Sequence, residues 1–252
     1  MTRLALISDI HGNCVALDAV LADSTRRQVD DIICLGDVAA GGPQPGEVVN
    51  RLRELRCTVI CGNAEGWLLD GLPAGRSEVT HRLGEVVEWT RQMLAPAERE
   101  YLAALPPTLE VAIDSWRLFC CHGSPRSEIE PLLATTPDAE FDELLADTAA
   151  ADGIACGHTH LQLLRPHRER LLLNPGSVGL PLGSLRAADG VALPAWAEYA
   201  LVEVAGGDVA VTFRRLPIDV SALAAATAAM PQPTWASDLE RRIVRWNARA
   251  AG

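Results

Sequence analysis

A chain of 252 residues is long enough for one large domain with a substantial buried core. Apolar residues make up 48% and charged residues 22%, an ordinary balance for a globular protein. The formal net charge of −11 argues against broad electrostatic binding to nucleic acid, though not against a phosphorylated substrate, because bound dications reverse the local field.

Leu4 to Ser8 is short and apolar, the pattern of a fully buried strand. Asn13 opens a helix with Ala16, Leu17, Val20 and Leu21 on one face, and capping is its expected role. Asp31 to Leu35 is a second strand, Pro45 to Leu55 a helix and Thr58 to Cys61 a third strand. This alternation predicts parallel strands joined by helical crossovers. Ser77 to Leu105 is helical, split at Pro96 and ended by Pro106-Pro107. Thr108 to Ile113 and Trp116 to Cys121 form a hairpin, Asp138 to Ala146 a helix, and Gly153 to Cys156 a strand. Leu171 to Leu173, Ala200 to Val204 and Val209 to Arg214 are expected in a second sheet. The tail after Asp219 is Ala-rich and helical, with a break at Pro231-Gln232-Pro233. The reading is of two packed sheets flanked by helices, in a single domain over residues 1–252.

The seven cysteines are odd in number and form no paired CxxC framework. Several lie within strand-like runs, so they are expected as buried reduced thiols in a cytoplasmic protein. No signal peptide is expected, nor any membrane attachment, since no apolar stretch approaches the roughly 20 residues that span a bilayer.

Five short motifs follow predicted strands: Asp9-Ile10-His11, Gly36-Asp37, Gly62-Asn63, His122-Gly123 and Gly157-His158-Thr159-His160. Each alone has a bland explanation. Gly-Asp and Gly-Asn are common turns, and a single His beside a strand can be a satisfied core imidazole. Together they hold four of the chain's six histidines. Strand ends are where α/β sheets gather ligands. Three carboxylate or amide oxygens and four imidazoles suit a pair of divalent transition metals. Two such ions about 3.5–4 Å apart would activate a shared water and stabilise in-line attack on phosphorus.

The ordered set D-x-H, G-D, G-N, H-G and G-H-x-H resembles the calcineurin-like metallophosphoesterase superfamily over Met1 to Gly179. The segment Asn174-Pro175-Gly176-Ser177-Val178 is similar to the YfcE-like phosphodiesterase branch. The resemblance implies an α/β fold, a four-layer α-β-β-α sandwich of two mixed sheets flanked by helices. It implies one metal held by Asp9, His11, Asp37 and His160, and another by Asp37, Asn63, His122 and His158, with Asp37 bridging. Asp37, Asn63 and His122 are the catalytic candidates within that set. Mn²⁺ is the first choice of ion, with Fe, Ni²⁺ or Zn²⁺ as alternatives. The expected activity is hydrolysis of a small phosphodiester, and also of monoesters, by a hydroxide bridging the two ions. Oligomeric state stays open.

Several features depart from the family. Many members carry His after Gly-Asn as a general acid, whereas here Ala64 follows. Glu65 either caps or solvates the start of a short helix, or orders the leaving group through water. The backbone N–H groups of Asn174 to Gly179 either receive a phosphate oxygen or merely form a tight turn. Relatives often follow this segment with Pro-Arg, but here it is Leu180-Pro181-Leu182-Gly183, so Arg126 is a candidate replacement cation. His81 and His167 are expected on the solvated surface. The alternative function is a non-catalytic interaction protein keeping the fold, the route taken by a retromer subunit similar to this family. A metallo-β-lactamase-like hydrolase is excluded by the lack of an H-x-H-x-D-H cluster.

Overall fold

The short apolar runs Thr2–Ile7 and Trp196–Ala205 become strands because both of their faces find a partner layer, whereas the edge strands alternate between a covered face and an exposed one. The computed structural model describes residues 1–72, 78–148, 150–181, 184–186, 192–194, 196–228 and 230, and the side chains within 78–82, 184–186 and 192–194 lie outside that description. The elements in chain order are β1 (Thr2–Ile7), α1 (Cys14–Arg26), β2 (Asp31–Cys34), α2 (Pro45–Glu54), β3 (Thr58–Val59), α3 (Asn63–Asp70), α4 (Glu78–Met93) and α5 (Pro96–Ala103). They continue as β4 (Thr108–Ile113), β5 (Trp116–Cys121), α6 (Asp138–Leu144), β6 (Gly153–Ala155), β7 (Gln162–His167), β8 (Arg170–Pro175), β9 (Ser184–Arg186), β10 (Ala192–Pro194), β11 (Trp196–Ala205), β12 (Asp208–Pro217) and α7 (Val220–Thr227).

The first sheet has the order β12-β11-β1-β2-β3, with β1, β2 and β3 parallel and β11 antiparallel to β1. The second has the order β4-β5-β6-β8-β7, with β5, β6 and β8 parallel and hairpins at both edges. Alternation along each strand sorts its side chains between layers. In β1, Ala5 and Ile7 face the core under the helices, whereas Leu4 and Leu6 face the core between the sheets. Ile60, Leu118, Cys120, Ala155 and Leu173 complete that inter-sheet core. On the far side of the second sheet, Phe141 and Leu144 of α6 pack against Ile154 and Leu172. The result is the four-layer α-β-β-α sandwich of two mixed sheets.

Two expectations about placement are corrected. Ala200 to Val204 and Val209 to Arg214 join the first sheet rather than the second, and of that group only Leu171 to Leu173 lies in the second. The reason is an open edge. β2 pairs with one side of β1, and β11 takes the other side in the register Thr2↔Val204 to Leu6↔Ala200. There Ala197, Tyr199 and Leu201 reach the helix-side core, while Ala200, Val202 and Val204 reach the inter-sheet core. His167 is buried rather than solvated. The β7–β8 hairpin, absent from the sequence reading, lays its ring against Phe141 and its Nε2 2.9 Å from Asp142 Oδ1. The His81 side chain and the break at 231–233 lie outside the described residues. The helix after Asp219 is present, and Asp219 caps it by accepting from the Ala222 N–H.

Candidate metal centre

The five motifs sit just past the C-terminal ends of β1, β2, β3, β5 and β6, so two sheets deliver them to one place. The backbone turns sharply there. Among the described non-glycine residues nine have positive φ, and five of these are Asp9, His11, Asp37, His158 and His160. Left-handed backbone is costly for side chains with a Cβ, and such strain clusters where a function needs it. Close approach enforces the geometry. A Cβ on Gly62 would lie 2.3 Å from Asp37 Oδ1, so only glycine lets that carboxylate occupy its place.

The imidazoles are aimed by carbonyl oxygens. Nδ1 of His11 donates to Ala40 O at 2.7 Å, Nδ1 of His122 to Leu35 O at 2.7 Å, and Nδ1 of His160 to Leu180 O at 2.6 Å. Carbonyls only accept, so each Nδ1 carries a proton and each Nε2 is turned inward, where it can hold a further proton or a metal ion. His122 Nε2 lies 3.3 Å from Asp37 Oδ1 and 3.2 Å from Asn63 Oδ1. His11 Nε2 lies 3.5 Å from Asp37 Oδ2, so the two oxygens of Asp37 face different imidazoles. His160 Nε2 lies 3.2 Å from Asp9 Oδ1. The His158 ring stands edge-on to His122 at 5.3 Å, and its backbone N–H donates to Asp9 Oδ2 at 3.1 Å. All seven residues singled out from the sequence are therefore in one cluster.

Two observations fit this set to cations. Asp9 Oδ1 is fully buried and faces the Nε2 atoms of His160, His11 and His122 at 3.2, 3.9 and 4.0 Å, so its charge depends on positive charge held among those rings. The Nε2 atoms of His11 and His160 face each other at 3.2 Å. Two lone pairs at that distance need a positive charge beside them, a proton or a metal ion. Ligand atoms of Asp9, His11 and His160 lie within 4.8 Å of one another, as do those of Asp9, Asp37 and His122. Asp9 thus reaches both groups, which the division of ligands implied by the resemblance did not include.

Charge is strongly biased. Burial works against the Asp37 carboxylate, but His122 and His11 hold it well below the usual range. Burial likewise opposes Asp9, and His160 and His122 keep it lowered. Burial depresses His122, yet Asp37 and Asp9 outweigh it and push the ring up to about 10. His158 is pushed down to about 4 by burial and by His122. Without cations, the site pairs ionised carboxylates with protonated imidazole.

The surroundings settle several open readings. Glu65 is fully buried rather than solvated, and it caps the start of α3 while both its oxygens accept from backbone N–H groups. Burial, then the neighbouring Asp37, push it up to about 7. The Asn174 to Gly179 segment is strapped to the site, with the N–H groups of Gly176, Val178 and Gly179 all spent within the protein. The Gly176 N–H donates to Asn174 Oδ1, Val178 N–H to Ser8 O and Gly179 N–H to Asp9 O. Asn174 Nδ2 donates to Gly157 O and Thr159 Oγ1, and Ser177 Oγ donates to Asp9 O. The same segment supplies the Leu180 carbonyl that orients His160. Sequence reasoning marked this segment but not its role; the Asn-Pro-Gly-Ser run was the signal, since Asn at such a turn bonds its own backbone. Arg126 is held in a two-point pair with Glu130 at 2.8 Å, so it is not a spare cation for substrate. Asn13 caps α1 by accepting from the Ala16 N–H, as expected. All seven cysteines are free thiols, and burial pushes Cys57, Cys61, Cys120 and Cys156 up to about 12, so none is poised as a thiolate ligand.

Known proteins resemble this chain. The family model of the calcineurin-like phosphoesterase superfamily domain matches residues 2–226. The uncharacterized protein MJ0912 of Methanocaldococcus jannaschii is 30% identical over 207 residues, covering 74% of this chain and 80% of its own. Phosphodiesterase YfcE of Escherichia coli strain K12 is 28% identical over 201 residues, covering 76% of this chain and 87% of its own. A solved metallophosphoesterase from Sphaerobacter thermophilus is 27% identical with a TM-score of 0.71, covering 96% of this chain and 98% of that one. By fold, motif order and these relatives, the chain belongs to the calcineurin-like phosphoesterase superfamily and stands in its YfcE-like branch.

Proposed function

We propose that this protein hydrolyses small phosphodiesters, and phosphomonoesters as a second class, at a centre of two divalent cations. One ion is assigned to Asp9, His11, Asp37 and His160, the other to Asp37, Asn63, His122 and His158. Mn²⁺ is the expected occupant, and Fe, Ni²⁺ or Zn²⁺ suit the same mixed nitrogen and oxygen set. When bound, such a pair supplies Lewis acidity and an activated water for attack on phosphorus.

The chain's own residues prepare the site. The Ala40, Leu35 and Leu180 carbonyls fix three ring orientations, so no rotamer search remains when a cation arrives. Asp37 divides its oxygens between two imidazoles, the disposition a bridging carboxylate needs. That division is the observation on which the reading rests. Burial of Asp9, Asp37 and His122 keeps bulk water from screening the charges.

The test is turnover of bis-p-nitrophenyl phosphate by protein loaded with Mn²⁺. Asp37→Ala is expected to lower kcat/KM by on the order of 10³-fold or more, since one group serves both ions. Loaded protein that hydrolyses no ester in a broad screen would overturn the proposal in favour of a binding role.

A further inference from the structure

We propose that Glu65 is a positioning residue whose carboxylate clamps the loop after β2 to the loop after β3, so that Asp37 and Asn63 arrive together. The inference rests on the two-cation reading above, and it names the device that sets two of its ligands.

Glu65 Oε2 accepts from the Asp37 N–H at 2.9 Å and from the Gly62 N–H at 2.9 Å, while Oε1 accepts from the Val38 N–H at 2.8 Å. Helix capping accounts for the Gly62 bond alone. The other two reach back 28 and 27 positions to a different loop. The β2–β3 ladder consists of Ile33↔Thr58 and Cys34↔Val59, followed by Ile60 N–H donating to Cys34 O. The next amide, Cys61 N–H, turns away to Pro106 O. Beyond that point Gly36 and Gly62 pack backbone against backbone, and the hydrogen bonds between the loops, among the described residues, are those of Glu65 and the Ala64 N–H bond to Asp37 Oδ1 at 2.8 Å.

The chemistry selects a carboxylate. Three donors converge on it, and both oxygens must accept. Glutamine offers one accepting oxygen and an NH₂ that would oppose an N–H. Aspartate keeps the charge but is one methylene shorter, so it reaches fewer of the three amides.

The experiment compares wild type, Glu65→Gln and Glu65→Asp with Asp23→Asn, a destabilised variant whose network lies on the far end of α1. Metal-free protein is followed by amide exchange of the segments holding Asp37–Val38 and Gly62, and Mn²⁺ uptake by calorimetry and electron paramagnetic resonance. The kcat and KM values are read separately. The expected result for Glu65→Gln is exchange at least about 10-fold faster in those segments, and Mn²⁺ affinity lowered about 10–100-fold. The resonance signal should shift from a coupled pair towards single ions, with kcat falling more than KM changes. Glu65→Asp should show the same losses to a smaller degree, and it carries the test if the Gln variant does not fold. Asp23→Asn should melt earlier with wild-type exchange in the two segments and wild-type Mn²⁺ binding. Wild-type exchange and affinity in both Glu65 variants would overturn the proposal, as would equal losses in Asp23→Asn. If wild type itself takes up no Mn²⁺, the two-cation reading fails; if it takes up Mn²⁺ but cleaves no ester, the hydrolase reading fails; in either case amide exchange still decides the clamp.

Discussion

Ala64 carries the sharpest chemical consequence of any single residue. Its methyl is 1% exposed and packs into the helix-side core, so no side chain at this position faces the phosphoryl group. Its backbone N–H serves Asp37 instead. Glu65 and Arg126, the neighbouring candidates for assisting substrate, are both occupied by other partners. General acid help is typically worth about 10²–10⁴-fold, and this site must do without it from position 64. Rates on a series of aryl phosphodiesters should therefore fall steeply as the leaving-group pKa rises, by on the order of 10²-fold or more across the series. A flat series would show that another donor protonates the departing oxygen.

Between elements, Asp23 ties α1 to the edge of the first sheet. Its carboxylate accepts from the Tyr199 hydroxyl of β11 at 2.7 Å, from Arg214 of β12 at 3.2 Å, and from Arg26 and Arg27 of its own helix. Burial pushes this carboxyl up, but Tyr199 and the three arginines outweigh it and hold it well below the usual range. A carboxylate lowered on folding contributes stability above its unfolded value, and loses it as pH falls through the folded one. The stability of the protein should accordingly decline as pH drops below about 4, and Asp23→Asn should flatten part of that decline. At neutral pH the same substitution should cost about 2–4 kcal/mol in urea unfolding, because it leaves a buried phenol and a cluster of arginines poorly paired. An unchanged midpoint would show that the network adds nothing.

For the whole molecule, the site joins two sheets that also meet through an apolar core and through hydrogen bonds such as those from Gln162 Nε2 to Tyr199 O and Arg214 O. Asp9, Asp37 and Asn63 come from the first sheet, His122, His158 and His160 from the second. Cations held by both should act as a staple that the unfolded chain cannot form. Each ion, at about 100 times its dissociation constant, stabilises a folded state by about 2.7 kcal/mol. For a chain of this size that corresponds to a rise in Tm of about 5–10 °C, reversed by a chelator. A Tm indifferent to Mn²⁺ and chelator would count against a cation site spanning the sheets.

The sequence alone determined the local pieces: parallel β1, β2 and β3, the β4–β5 hairpin, and the seven residues of the candidate site. Those are legible because apolar runs, turn residues and histidine spacing are local signals. What tertiary structure decided is everything that depends on a partner far along the chain. β11 and β12 could have completed either sheet, since alternation specifies a buried face but not a neighbour; the open edge of β1 made the choice. The ring orientations of His11, His122 and His160 hang on carbonyls, which every residue possesses and no spelling distinguishes. Asn174 and Glu65 were visible as polar letters beside motifs. Their work became visible only when folding brought the Gly157 carbonyl to Asn174 and the Asp37 and Val38 amides to Glu65, each within 3 Å.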